Sequence, residues 1–130
     1  MPLAEVLADH PAKETFDLAE LHRAATAAME CSLICAACAD SDLGREGHDM
    51  QACIRMCMDC SDLCSTTARL LARPTPRGSA WMKTVAACAA VCAECAAECE
   101  QHDHVCCREC AAACRACEQA CQALLAVSQS

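Results

Sequence analysis

The stretch that decides the fold covers residues 88–99 and reads Cys88-Ala89-Ala90-Val91-Cys92-Ala93-Glu94-Cys95-Ala96-Ala97-Glu98-Cys99. Its cysteines follow one another in steps of four, three and four residues. These steps place all the thiols on one face of an α-helix. Alternating steps of three and four are typical of the stripe that faces the core of a left-handed helical bundle. The stretch therefore predicts a helix whose buried face is made of thiols.

The same stripe occurs four times along the chain. Of the 17 cysteines, only Cys106 falls outside the pattern, directly beside the last stripe. The stripes are Cys31, Cys35 and Cys38; Cys53, Cys57, Cys60 and Cys64; Cys88, Cys92, Cys95 and Cys99; and Cys107, Cys110, Cys114, Cys117 and Cys121. Four stripes predict four core helices.

Breaks between the stripes indicate how the helices are connected. Gly and Pro mark loops at 43–48 and 73–78, and a polar gap at 101–104 marks the third turn. The predicted helices are 15–42, 49–72, 79–101 and 104–127. Short connections between long helices favour an all-α fold, an antiparallel up-down-up-down four-helix bundle. Residues 1–14 are expected to form a short extra N-terminal helix that Pro11 interrupts, with the bundle domain at 15–127.

Composition limits both the core and the compartment. With one Phe, one Trp and no Tyr in 130 residues, Cys and Ala must supply most of the interior. Residues 1–10 lack the features of a signal peptide, and no uninterrupted run of about 18 apolar residues predicts a membrane span. These features predict a cytoplasmic protein, because thiols stay reduced there. The formal net charge of −8 argues against a nucleic-acid partner.

Disulfides and simple packing explain the stripes poorly. Residues four apart on a helix have Cβ atoms about 5–6 Å apart, whereas a disulfide requires about 3.8 Å. Leu or Ala would fill the same core without the risk of oxidation. A catalytic Cys-x-x-Cys such as Cys35 and Cys38 would need an exposed thiol of low pKa at a helix N-terminus. Mid-helix repeats do not fit this requirement, so we predict that the protein is not an enzyme.

Metal binding explains the spacing better. A linear sulfur–metal–sulfur unit spans about 4.6 Å if its bonds resemble those of zinc to sulfur, and two thiols four residues apart can reach that separation. Thiolates from facing helices can then bridge the metals. Seven pairs within the stripes have this spacing: Cys31/Cys35, Cys53/Cys57, Cys60/Cys64, Cys88/Cys92, Cys95/Cys99, Cys110/Cys114 and Cys117/Cys121.

Charge then selects the metal. Thiolates prefer Cu(I), Zn(II) or iron–sulfur clusters. Zinc tetrathiolate sites each carry excess negative charge, and the stripes contain no Lys or Arg to balance it. One Cu(I) per thiolate is neutral, so we predict multiple bound Cu(I) ions, roughly fifteen to twenty, with all 17 cysteines as candidate ligands. Sequestration of Zn(II) or of soft metals in general is the alternative, whereas the usual iron–sulfur spacing is missing.

The two ends of the predicted bundle differ. One end is expected to be an apolar plug formed by Leu18, Leu21, Leu71, Trp81, Val85, Leu124 and Leu125. The other collects polar residues and soft ligands, and we predict that metal passes through it with His102 and His104 as ligands. The remaining candidates at this rim are Asp42, Met50, His48 and Cys106. The first core helix has fewer thiols, because Ala24, Ala28 and Asp42 occupy positions on its stripe.

The chain resembles the bacterial copper storage proteins, specifically the cytosolic branch of that family. The motifs that carry the resemblance are the stacked Cys-x-x-x-Cys pairs, Cys35-Ala36-Ala37-Cys38-Ala39-Asp40, Cys53-Ile54-Arg55, and His102-Asp103-His104 followed by Cys107-Arg108-Glu109-Cys110-Ala111-Ala112-Ala113-Cys114. The likeness covers about residues 17–125. It implies a homotetramer of four-helix bundles that stores Cu(I) on core thiolates and has an open end containing His. Copper ions and copper-accepting proteins are the expected partners. The low thiol content of the first core helix departs from the fuller family pattern.

Overall fold

The computed structural model describes residues 2–45 and 49–128, and within these ranges the chain is helical without a strand. The five helices are α1 (Pro2–Ala8), α2 (Leu18–Leu43), α3 (Gln51–Leu71), α4 (Ala80–Cys99) and α5 (Val105–Ser128). The all-α prediction is confirmed. Residues 46–48 of the predicted first loop, including His48, lie outside the described ranges.

The four long helices form a ring in which each packs against its two neighbours in the chain order, and α5 closes the ring against α2. Sulfur contacts show the relative directions of the helices. Cys38 meets Cys107 while Cys31 meets Cys114, so α2 and α5 are antiparallel. The up-down-up-down bundle is thus confirmed. The short α1 packs against α2.

Local sequence chemistry sets the helix ends. Helix α2 begins at Leu18 rather than at the predicted residue 15, because the Asp17 side chain caps it by accepting a hydrogen bond of 3.0 Å from the Glu20 amide. Before α4, Gly78 has a φ of 53°, a conformation that glycine adopts without steric cost.

The interior consists mainly of Cys and Ala. Ala24 and Ala28 on α2 and Ala96 on α4 are fully buried. Small side chains let α2 and α3 approach closely, where Ser32 and Ser61 exchange hydrogen bonds. The Ser32 hydroxyl donates to the Ser61 carbonyl at 2.7 Å, and the Ser61 hydroxyl donates to the Ser32 carbonyl at 2.8 Å. The resulting bundle holds the four stripes around one central axis.

By length and composition alone, one of the described helices could cross a membrane. This helix is α4 (Ala80–Cys99), whose mean hydropathy is 1.3 and of which 39% is buried inside the bundle. Cys and Ala account for most of that hydropathy, and the four cysteines of the helix face the core. Core helices of soluble helical bundles pass the same criterion.

Candidate metal centre

All the cysteines are free thiols within the described residues, and sixteen of the seventeen are buried. The exception is Cys106, which is half-buried. The alternating three- and four-residue steps therefore turn every stripe sulfur toward the interior. The structure brings together the sixteen thiols for which the sequence predicted a common core.

In the half of the bundle nearer the α2–α3 connection, the sulfurs form a continuous network. Cys107 lies 3.9 Å from Cys38, and Cys57 lies 3.7 Å from Cys99 and 3.8 Å from Cys110. The Cys57–Cys110 contact crosses the bundle diagonally between α3 and α5. Thiols from all four helices therefore share this half of the core.

The network continues into the other half. Cys114 bridges α2 and α3, with its sulfur 3.7 Å from Cys31 and 3.9 Å from Cys60. Beyond them, Cys64 lies 3.5 Å from Cys92 and 3.8 Å from Cys88. Along most of the bundle axis, neighbouring sulfurs are therefore no further apart than two sulfur ligands of one metal ion would be.

Several groups of four sulfurs are compact enough to hold a metal ion. In each group the ligand atoms lie within 4.8 Å of one another, and every residue is buried. Five of these groups are Cys31, Cys64, Cys92 and Cys117; Cys31, Cys35, Cys60 and Cys114; Cys35, Cys95, Cys110 and Cys114; Cys38, Cys53, Cys57 and Cys99; and Cys57, Cys95, Cys99 and Cys110. Because the groups share members, they form one extended ligand set instead of separate sites, and shared thiolates are suited to bridging metals.

Pairs four residues apart behave as the spacing predicts. Their sulfurs are 3.8 Å apart in Cys31/Cys35, 3.9 Å in Cys53/Cys57 and 3.7 Å in Cys60/Cys64. A linear sulfur–metal–sulfur unit spans about 4.6 Å, so a small side-chain rotation would admit an ion between the two sulfurs of each pair.

Burial favours the protonated form of two thiols near the rim in the metal-free protein. Burial is the largest cause that raises the pKa of Cys53, and the hydrogen-bonded Asp42 carboxylate raises it further. Burial likewise raises the pKa of Cys107, and a charge on Cys38 would add to the effect. Like charges cannot accumulate in an interior without cations. Binding of Cu(I) must therefore displace protons.

The polar rim predicted from the sequence is formed by α2, α5 and the start of the α2–α3 connection. Asp42 is only 2% exposed, and its carboxylate accepts hydrogen bonds from Cys38 at 3.8 Å, Cys106 at 3.7 Å and Cys107 at 3.8 Å. The Arg45 guanidinium lies 3.9 Å from the Cys106 sulfur. At this rim a carboxylate and a guanidinium therefore contact the outermost sulfurs.

Both predicted histidine ligands lie in the α4–α5 connection at the same end. His102 donates from Nε2 to the Glu98 carboxylate at 2.7 Å, and both side chains are about one-fifth exposed. His104 is half-buried, and Met50, the residue before α3, is 4% exposed. The structure thus brings His102 and His104 to the rim, and their role as ligands remains a prediction.

The opposite end is closed by apolar side chains. Leu21, Leu71, Val85 and Leu124 are fully buried there, and Trp81 is 5% exposed. Leu18 and Leu125, the other two predicted members, are partly buried against the same core. Apolar residues of all four helices cover the last thiols at this end.

Sequence reasoning did not single out three residues that shape the two ends. Glu98 could have been found from its position four residues before His102 on a predicted helix. Nothing in the sequence indicated the contact of Arg45 with Cys106, because that contact depends on the path of the α2–α3 connection. Phe16 stacks on Trp81 with ring centroids 4.9 Å apart, and it lies outside the periodic pattern because it precedes α2.

The chain is similar to one known protein family and to several solved structures. The family model described as "Csp: Copper storage protein" matches residues 17–126. Among curated proteins there is no match. Solved structures of the Streptomyces lividans copper storage protein Ccsp are similar in fold and in sequence, and their similarity extends over most of both chains.

The Ccsp structure loaded with 10 copper equivalents is 41% identical, with a TM-score of 0.91 over 96% of this chain and 98% of that one. A structure showing loading of cytosolic Ccsp with five coppers is 44% identical, with a TM-score of 0.79 over 82% of this chain and 92% of that one. A Ccsp variant with two histidines replaced by alanine is 41% identical, with a TM-score of 0.82 over 86% and 98%. The family match covers the whole bundle that carries the thiol network, and this chain belongs to the copper storage protein family.

Proposed function

We propose that this protein stores and buffers multiple Cu(I) ions in the cytosol, held by the thiolates that line the bundle. The observation that carries the proposal is the continuous network of sixteen buried cysteines with interlocking four-sulfur groups. Loading of the related Ccsp with five and with 10 coppers, and the description of that protein as cytosolic, support the proposal.

The proposed ligands are all seventeen cysteines, with His102 and His104 at the rim. Overlapping sulfur groups favour thiolates that each bind two metals, which leads to about one Cu(I) per cysteine and a neutral interior. The bundle at 15–127 would be the storage domain, and 1–14 an addition packed against it. Copper storage is the function that the family description gives, and storage requires no catalytic step.

Charge disfavours the zinc alternative. Four thiolates around Zn(II) leave two negative charges in each site. The cysteines of the core have no Lys or Arg among their hydrogen-bond partners within the described residues; only Cys106, at the rim, contacts a cation, Arg45. Several uncompensated sites in one low-dielectric core would be costly. Cu(I) avoids this penalty because each added thiolate is matched by one positive charge.

Assembly into a homotetramer is a further part of the proposal. Leu33 and Leu43 on α2 and Met58 on α3 are 66%, 68% and 54% exposed. Exposed apolar side chains on two neighbouring helices support a protein–protein contact. Light scattering coupled to gel filtration should give four times the chain mass of 13.7 kDa, and a monomer would contradict this part.

An anaerobic titration of the reduced protein tests the storage function directly. Cu(I) is added against a competing chelator while free thiols are counted and helicity is followed by circular dichroism. We expect uptake to approach one Cu(I) per cysteine with no loss of helix. Zn(II) added in competition should leave the bound copper in place.

Two outcomes would contradict storage. Uptake of only one or two ions would indicate a copper chaperone. Saturation near a quarter of the thiol count, with Zn(II) preferred, would indicate the zinc alternative. As a matched control, a variant with the stripe cysteines replaced by Ala should stay helical and lose Cu(I) binding; collapse of its helicity would show that the thiols are chiefly structural.

A further inference from the structure

Cys106 differs from every other cysteine of the chain in its exposure to solvent. The other sixteen thiols are buried, so a copper carrier cannot reach them while the helices stay packed. Cys106 is half-buried and lies in the first turn of α5, next to the stripe that begins at Cys107. It is the one cysteine of the chain that keeps substantial solvent exposure in the folded protein.

The surroundings of Cys106 also differ from those of a core thiol. Cys57 in the core has four other sulfurs within 3.9 Å, those of Cys53, Cys95, Cys99 and Cys110. Cys106 instead contacts the buried Asp42 carboxylate at 3.7 Å and the Arg45 guanidinium at 3.9 Å. An oxygen donor and a cation hold Cu(I) less well than a second and third thiolate do. Such surroundings suit a ligand that releases its metal.

Cys106 is nevertheless joined to the core network. Its sulfur is 3.9 Å from that of Cys107, which lies 3.9 Å from Cys38. Cys38 belongs to the four-sulfur group with Cys53, Cys57 and Cys99. An ion on Cys106 can therefore reach the core by exchange between neighbouring sulfurs, without passing through an intervening layer of apolar side chains.

We propose that Cys106 is the exchange ligand of this protein, the thiol that takes Cu(I) from a thiol-bearing carrier at the rim and passes it to Cys107. The proposal rests on the storage function proposed above and gives Cys106 the transfer step in addition to its place among the proposed ligands. Arg45 and Asp42 act as positioning residues, because their contacts fix the Cys106 sulfur between solvent and Cys107.

The transfer step is a ligand exchange. The bond between copper and the carrier sulfur breaks as the bond between copper and the Cys106 sulfur forms. The proton of the Cys106 thiol passes to the released carrier thiolate, so copper remains Cu(I) and charge is conserved. Release of stored copper follows the same steps in reverse.

The test compares Cys106→Ser with Cys121→Ser, each of which removes one thiol. Cys121 is buried at the closed end of the bundle. Anaerobic stopped-flow measurements follow loading from Cu(I)–glutathione and removal by a strong Cu(I) chelator, and titration gives the capacity. Both variants should lose a similar small part of the capacity. Cys106→Ser should load roughly tenfold more slowly than Cys121→Ser, which corresponds to about 1.4 kcal/mol in the activation free energy.

Chemical modification provides a second measurement that needs no mutation. Brief treatment of the folded, metal-free protein with iodoacetamide should alkylate Cys106 first, as mass spectrometry would show, and the alkylated protein should load slowly. The proposal is overturned if Cys106→Ser loads as fast as Cys121→Ser, if another cysteine is alkylated first, or if the alkylated protein loads at the unmodified rate. A wild-type capacity of only one or two ions would instead overturn the storage function itself.

Discussion

At the scale of single residues, Glu98 determines which nitrogen of His102 is available to a metal. The Glu98 carboxylate accepts a hydrogen bond of 2.7 Å, so Nε2 of His102 carries the proton. In neutral imidazole the other nitrogen, Nδ1, then has a free lone pair. A carboxylate that orients a histidine ligand in this way typically changes metal affinity or activity about 10- to 100-fold when it is lost.

This pairing makes a specific prediction for Glu98→Gln. We expect slower Cu(I) loading with little change in capacity, because the amide no longer fixes the protonated nitrogen, and His102→Ala should behave in the same way. Adding Glu98→Gln to His102→Ala should have no further effect. Stopped-flow loading rates of the two single variants and the double variant provide the measurement. Glu94→Gln, an exposed carboxylate one turn earlier on α4, is the matched control. Additive effects of the two changes would show that Glu98 acts independently of His102.

At the scale of the helices, the stripe of α2 continues before Cys31 with alanines in place of cysteines. Ala28 and Ala24 are fully buried at the positions where the three- and four-residue steps place them. The closed half of the core therefore receives thiols chiefly from α3, α4 and α5. The periodicity of the helix decides which positions face the core, and the residue type decides whether each position supplies a sulfur.

Ala28→Cys should therefore add a ligand. We expect the capacity to rise by about one Cu(I), because position 28 is the next stripe position before Cys31 and each added thiolate can balance one copper. The larger side chain should lower the stability of the metal-free protein by about 1–3 kcal/mol through overpacking. Ala37→Cys on the exposed face of α2 is the control and should add no copper that survives chelator competition. The two capacities come from anaerobic titration. Equal capacities for the two variants would contradict the stripe assignment.

The contact between α2 and α3 depends on two reciprocal hydrogen bonds. Ser32 is 6% exposed, so loss of its hydroxyl leaves the partly buried carbonyl of Ser61 without its side-chain donor. We expect Ser32→Ala to reduce the free energy of unfolding of the metal-free protein by about 1 kcal/mol. Thr84→Ala removes an exposed hydroxyl bonded within its own helix and should have a smaller effect. Urea denaturation followed by circular dichroism provides both values, and equal losses would show that the α2–α3 contact contributes nothing beyond one local hydrogen bond.

At the scale of the whole molecule, the fold was predictable because one signal recurs in every helix. The steps between cysteines fix both the helical period and the buried face, and the short breaks fix the order of the helices. The first residue of a helix was harder to predict. Helix α2 begins where Asp17 caps it and not where helix-favouring residues first appear. Hydrophobic pattern alone does not contain that information.

The site was predictable in its sulfur core and less so at its rim. Core thiols follow from periodicity, which is a property of the backbone. The contacts of Arg45 with Cys106 and of Glu98 with His102 depend on loop paths and side-chain rotamers that no repeat specifies. The different exposure of Cys106 could be suspected from its place outside the stripe, but its neighbours could not be identified before the fold was known.

The concentration of thiols also makes the stability of the metal-free protein sensitive to pH. Burial raises the pKa of Cys53 and Cys107 in the folded state above that of unfolded thiols, which is roughly 8.5. Their contribution to stability is therefore fully present below pH 8.5 or so and is lost as the pH rises toward the folded-state pKa. Few other side chains titrate in this pH range, because the chain has no Tyr and its only lysines are Lys13 and Lys83.

We therefore expect the free energy of unfolding of the reduced, metal-free protein to fall steeply above about pH 9. Each thiol that is ionised only in the unfolded state contributes a slope of about 1.4 kcal/mol per pH unit. Cu(I)-loaded protein should show no such fall, because copper has already replaced the thiol protons that would titrate. Cys53→Ala supplies a matched variant whose slope should be shallower by one thiol. Urea titrations between pH 7 and 10, carried out anaerobically, measure all three. A metal-free protein whose stability stays constant to pH 10 would mean that its core thiols ionise as readily as unfolded ones, and that Cu(I) binding need not displace protons from a neutral interior.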